Sequence, residues 1–174
     1  AFPRLVEVYD ETNSLQDRVV GTGIVRPDWV KQFAAGGFVG RAAGRGFDAR
    51  KWHGYGLYGD LTFEAPVFEQ GDVNARVWVR IRETEQSLGL IEQLLAHAPL
   101  GPYRVEMEPL PASAGAEGAA LVEGFRGDIF LWLRLDGRGG IAGCHFRDPS
   151  WFQWPLLEAA IEGNILADFP ICNK

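Results

Sequence analysis

The sequence predicts an α+β fold, mainly helical, with a long central helix and a small antiparallel β-hairpin, in one domain spanning residues 1–174. Three observations predict it. An apolar seam runs at helical spacing through residues 72–96. After residue 120 the pattern shifts to short strands around a strong turn signal at 136–140. Finally, 47 % apolar residues and six Trp in 174 residues suffice for a sizeable core.

Residues 4–20 read as a first helix. Leu5, Val8, Tyr9, Leu15 and Val19 follow a rough helical spacing, Pro3 suits the start, and Gly21 and Gly23 end it. Residues 27–35 read as a second, with Pro27 in the first turn, Asp28 favouring the positive end of the dipole, and Gly36-Gly37 as the stop. From 36 to 59, eight glycines stand among Arg41, Arg45, Arg50, Lys51 and five aromatic residues, which reads as a long loop with aromatic anchors. Loops of this length inside a compact domain are functional or pinned by partners.

Residues 72–96 are the strongest element. Val73, Val77, Ile81, Thr84, Leu88, Ile91 and Leu95 recur at steps of 4, 4, 3, 4, 3 and 4, one continuous seam on a helix of about seven turns at ~3.6 residues each. Asp72 can cap it, and Arg80–Glu83 and Arg82–Glu85 are i,i+3 pairs expected on the wetter side. The seam exceeds what one short helix and a hairpin can cover, so it calls for a partner or a second copy of the chain. Residues 99–118, with four prolines, read as an extended connection. Strands follow at 121–123, 128–135 and 141–147, the last two joined by Asp136-Gly137-Arg138-Gly139-Gly140. A last helix spans 149–162, with Trp151, Trp154, Leu157 and Ile161 on one side and Asp148 or Ser150 near its start.

Several function classes are excluded or unsupported. A net charge of −6 argues against a nucleic-acid-coating surface. No apolar run approaches the ~18–20 residues that span a bilayer, so direct membrane insertion is not expected. Two Cys make no disulfide framework, and no Cys-x-x-Cys pair is present for a structural metal; both thiols are expected free in a reducing, cytoplasmic setting. The Gly40–Gly46 loop lacks the Gly-Lys-Ser/Thr ending of a phosphate-binding loop. Cys144 and His145 are strand neighbours and point to opposite faces, so they form no joint ligand set. His53 and His97 are lone. The chain opens at Ala1 and closes at Lys174 without a polar tail, and both ends read as cut from something longer.

Three arginines carry the candidate chemistry. Arg41 and Arg50 either tie the glycine-rich loop to carbonyls and carboxylates such as Asp48, or face a cofactor or partner subunit; they are the candidate cofactor-binding residues. Arg126 lies between two glycines at the mouth of the apolar run Ile129–Leu133. Burying such an ion is costly unless it is paired. It either bridges to Glu123 or Asp128, or presents a fixed guanidinium to an anion, a metal-bound ligand or a partner.

Four blocks in one order resemble a known family. They are Gly40-Arg41-Ala42 with Asp48-Ala49-Arg50-Lys51; Gly71-Asp72-Val73-Asn74-Ala75-Arg76 running into Gln86-Ser87-Leu88 and Ile91-Glu92-Gln93; Glu123-Gly124-Phe125-Arg126-Gly127 with Leu135-Asp136-Gly137; and Arg147-Asp148-Pro149-Ser150-Trp151 with Glu162-Gly163-Asn164 and Asp168. The set is similar to the large subunit of membrane-bound, energy-converting nickel–iron hydrogenases, near the hydrogenase III and formate hydrogenlyase branch, and to the related D subunit of respiratory complex I. The resemblance implies a C-terminal portion of such a subunit, in an electron-transfer complex that passes electrons to protons at nickel–iron or to a quinone. It implies an iron–sulfur small subunit and membrane subunits as partners, and a peripheral seat on the cytoplasmic side. In that family two Cys-x-x-Cys pairs hold the nickel–iron centre. Neither pair is in this chain, so no metal ligand or cofactor is expected in it and it is expected to be inactive alone. Arg126 matches the family arginine placed over the bimetallic site, which gives it a catalytic place. Phe125 stands where the nickel–iron hydrogenases have Pro, and complex I subunits keep a similar Arg-Gly without nickel. A metal-free scaffold or assembly module is the alternative.

Overall fold

The computed structural model describes residues 1–52, 54–98, 101–102, 104, 106 and 115–173. His53 and most of the expected 99–118 connection lie outside them. The helices are α1 (Phe2–Glu11), α2 (Asn13–Val19), α3 (Pro27–Phe33), α4 (Gly37–Ala42), α5 (Ala49–Trp52), α6 (Val73–Ala96), α7 (Ser150–Ala160) and α8 (Phe169–Cys172), with 3-10 turns at Tyr58–Asp60 and Leu166–Asp168. The strands are β1 (Glu117–Gly124), β2 (Gly127–Leu135) and β3 (Ile141–Arg147), antiparallel in the order β1-β2-β3. The mainly helical α+β class holds, with the hairpin widened by β1 into a three-stranded sheet.

Four elements depart from the sequence reading. The expected helix 4–20 is two helices, because Thr12 takes an extended conformation (φ −85°, ψ 93°) and its hydroxyl donates to the Val8 carbonyl at 2.5 Å. A threonine hydroxyl competes with the helix for a backbone carbonyl in this way. The expected stop of α3 at Gly36-Gly37 falls earlier, at Ala34, which adopts the left-handed conformation (φ 51°).

The third departure is the largest. Residues 36–59 are no open loop: all six residues of α4 are buried. With α3, the start of α6 and α7, α4 builds the core of Val30, Phe38, Val39, Ala42, Val79 and Leu156. Here the glycines allow close approach. Gly37 has φ +60°, and a Cβ there would lie inside the backbone of Arg126 and Gly127.

The fourth departure concerns α6. Asp72 caps it as expected: its Oδ1 accepts from the Ala75 N–H at 2.7 Å. Its buried residues, however, are Val73, Ala75, Arg76, Val79 and Leu90. The seam residues Leu88, Ile91 and Leu95 are 54 %, 52 % and 72 % exposed. The inner face of the outer half is amide-rich: Gln93 Oε1 accepts from the Thr62 N–H and its Nε2 donates to the Thr62 carbonyl, both at 2.8 Å. Likewise Trp151 and Trp154 of α7 face outward while Leu156, Leu157 and Ala160 are buried. No described helix is long and apolar enough to cross a membrane.

Candidate functional site

The site is built on the two-residue loop between β1 and β2. Register pairs Glu123 with Asp128 and Gly124 with Gly127, so Phe125 and Arg126 form the tip. Neither Phe125 nor Arg126 has a positive φ; the unusual backbone falls on Gly127, the first residue of β2, with φ +135°.

Four anchors hold this loop. Glu123 Oε1 accepts from Arg41 Nη1 at 2.9 Å and its Oε2 from the Ala49 N–H at 3.0 Å. Asp128 pairs with Arg147, whose guanidinium also lies 4.2 Å from the Phe152 ring centre. The Arg126 carbonyl accepts from Gln153 Nε2 at 2.5 Å. Gly127 packs directly on Gly36 and Gly37. Both carboxylates considered as partners for Arg126 are thus taken by other arginines. The Arg126 backbone is fixed and its residue is exposed. The carboxyl of nearby Asp148 is held below the usual range by the Ser150 hydroxyl and N–H, with Arg126 adding a weaker pull.

Beside the loop lies a cavity of about 290 Å³ whose lining includes Phe38, Arg76, Arg80, Phe125, Arg126 and Trp154. Phe125 stacks on Phe38 with ring centres 5.5 Å apart, and the Arg80 guanidinium lies 4.7 Å from the Phe38 ring centre. Arg76 is 2 % exposed and donates to the carbonyls of Gly23, Gly71 and Cys172 at 3.0, 2.9 and 3.1 Å. Burial lowers its pKa to about 10. It ties the segment after α2 and the last short helix, α8, to α6. Sequence reading does not single it out; its one signal is a charge among the apolar residues of the first helical turn. Burial also pushes the Cys172 thiol up.

Arg41 and Arg50 come together on the other side of the same loop. Arg41 is 1 % exposed. It pairs with Glu123 at 2.9 Å, Glu83 at 2.5 Å and Asp48 at 3.7 Å, and donates to the Phe47 carbonyl at 3.0 Å. Arg50 grips Asp48 with two bonds of 3.0 and 2.7 Å. Burial alone would raise the Asp48 carboxyl, but Arg50 and then Arg41 hold it below the usual range. Glu83, expected to face water beside Arg80, instead reaches inward to Arg41. The structure thus gathers Arg41 and Arg50 with Asp48, Glu83 and Glu123, and sets Arg126 apart at the loop tip.

His97 lies exposed at the end of α6 with Nδ1 2.9 Å from the Gln93 carbonyl. Cys144 and His145 stand opposite Leu133 and Trp132 in the sheet and are exposed. Among the described residues no group of three or more His, Cys, Asp or Glu could hold a metal ion. The donor set of a nickel–iron centre is therefore not supplied by these residues.

Residues 2–117 match the family described as the respiratory-chain NADH dehydrogenase 49 Kd subunit. The chain belongs to this family. It is 37 % identical over 153 residues to an NADH-quinone oxidoreductase subunit of Syntrophobacter fumaroxidans, covering 87 % of the chain and 41 % of that protein. It is 30 % identical over 167 residues to a carbon monoxide-induced hydrogenase of Rhodospirillum rubrum, covering 96 % of the chain and 46 % of the relative. One chain in the structure of the membrane-bound sulfane sulfur reductase, an archaeal respiratory membrane complex, matches with a TM-score of 0.87 at 34 % identity, over 99 % of this chain and 49 % of that one. The chain thus spans about half the length of these relatives. The family match takes in α1–α6 with Arg41 and Arg50, whereas the Arg126 loop lies beyond it and falls within the structural match.

Proposed function

We propose that the chain is part of the large subunit of a membrane-bound respiratory redox complex. In this reading it sits in a peripheral arm on the cytoplasmic side, against an iron–sulfur small subunit and membrane subunits. The Arg126 loop offers a guanidinium to the group that exchanges electrons, whether a quinone or a metal centre held by the rest of the subunit. The chain is inactive alone, because the reacting group needs residues from outside it.

One observation carries this reading: a charged side chain stands at the tip of a loop whose backbone is anchored on four sides. A guanidinium carried on an anchored backbone beside a cavity is placed to stabilise developing negative charge. Its planar fork cannot be replaced by a point charge. Arg126→Lys in the assembled complex should therefore lower turnover on the order of 100-fold, the loss typical of removing one fixed donor, while assembly and metal content stay normal. Unchanged turnover would favour a second reading, a scaffold or assembly module, for which the exposed Leu88–Ile91–Leu95 stripe on α6 is the supporting observation.

A further inference from the structure

Behind the Arg126 loop, between α6 and the end of β1, lies a second cavity of about 300 Å³. Its lining includes the polar side chains of Arg41, Arg50, Glu83, Thr84, Ser87 and Glu123. A space this size with several polar partners holds water readily. Arg41, almost wholly buried, keeps its Nε–H without a hydrogen-bond partner among the described residues. The guanidinia of Arg41 and Arg50 face the carboxylates of Asp48, Glu83 and Glu123. Arg80, half-buried on α6, adds a third cation at the rim.

We propose that Glu123 is a proton-binding site, loaded through this cavity from the Thr84–Ser87 side of α6. The choice among the three carboxylates follows from their partners. Asp48 is gripped by Arg50 with two bonds and also bonds the Arg50 N–H. Glu83 is nearest the water side, at 16 % side-chain exposure against 4 % for Glu123. Glu123 has one bond to each oxygen, both from α4 and α5, and faces Arg41, Asp48, Arg50, Glu83, Arg80 and the Tyr55 hydroxyl, which accepts from its N–H at 3.1 Å. Burial pushes its carboxyl above the usual range, against the pull of the Ala49 N–H and Arg41. With Glu123 protonated, Arg41 keeps Asp48 and Glu83 as charged partners. The step is proton transfer only. An O–H bond of a hydronium in the cavity breaks, one forms on a Glu123 oxygen, water is left, and no electron moves. The site needs no redox partner to load, so it stands apart from the function proposed above.

The test uses the full 174-residue chain carrying 13C at its Glu side-chain carboxyls. A pH titration by NMR should show one Glu carboxyl with a midpoint above the usual 4.5. Glu123→Gln should remove that resonance, and Glu85→Gln, at an exposed pair, should leave it. No carboxyl above the usual range, or one that survives Glu123→Gln, overturns the proposal. Should Glu123→Gln fail to fold, the wild-type titration still decides whether such a group exists. Thr84→Val/Ser87→Val assigns it, because only a carboxyl loaded through this cavity should then exchange its proton for deuterium more slowly; an unchanged rate also overturns the proposal.

Discussion

The two halves of α6 differ in a way the amino-acid pattern conceals. The first half, from Val73 to Glu83, carries three arginines and a glutamate, yet it enters the core: Arg76 and Val79 are buried and Glu83 reaches Arg41. The second half carries the cleaner apolar seam and turns it outward. Burial in this chain follows whether a charge finds partners. Arg76 has three carbonyls and Arg41 has three carboxylates, so each is covered at a bearable cost. Leu88 and Ile91 have nothing within the described residues to cover them, so they stay wet.

This contrast sets the largest expected effect. Arg41→Met leaves Glu123, Glu83 and Asp48 around an uncharged side chain. Removing one partner of a buried ion set costs about 3–5 kcal/mol. The exposed pair Arg82–Glu85 forms the control, with side chains 53 % and 44 % exposed, and Arg82→Met should cost no more than about 1 kcal/mol. Urea denaturation of the chain measures both. Equal costs at the two arginines would erase the distinction between the inner cluster and the surface of α6.

The next effect separates two glycines of the same segment. Gly37 and Gly44 both have positive φ, +60° and +86°. A Cβ on Gly37 meets the Arg126 loop, whereas one on Gly44 meets open space. Gly44→Ala should cost about 1 kcal/mol of backbone strain alone. Gly37→Ala adds a backbone clash and should cost at least about 2–3 kcal/mol, lowering the urea midpoint correspondingly further. A similar loss at both positions would mean that the close approach does not hold the loop.

The same contrasts explain what is legible in advance. The cap at Asp72, the strands around Asp136–Gly140 and the existence of α6 and α7 follow from local chemistry, which one sequence displays. Glycine-rich α4 escapes such a reading because a glycine that permits backbone contact looks the same in sequence as a glycine that breaks a helix. The orientation of α6 escapes it because periodicity reports which side chains share a face, not which face is covered. For the site, the arginines at 41, 50 and 126 are visible as charges in unusual settings. Asp48, the nearby carboxylate expected to hold Arg41 and Arg50, does pair with both; Glu123 is not legible as a partner, because it lies 82 residues from Arg41 and nothing local ties them. Arg76 donates to the carbonyls of Gly23, Gly71 and Cys172, and backbone carbonyls leave no mark in the sequence.

The smallest effect tests the outer half of α6 directly. If Leu88, Ile91 and Leu95 face water in the chain alone, replacing them with Gln removes little burial, and each should change stability by no more than about 0.5 kcal/mol. Val79 is fully buried, and Val79→Ala should cost about 2 kcal/mol through lost burial and a cavity. The informative step is to repeat the three Gln substitutions in the assembled complex. A stripe that is neutral in the chain but weakens association in the complex is a surface kept apolar for a neighbour. A stripe neutral in both settings carries no such role, and the scaffold reading loses the observation that supports it.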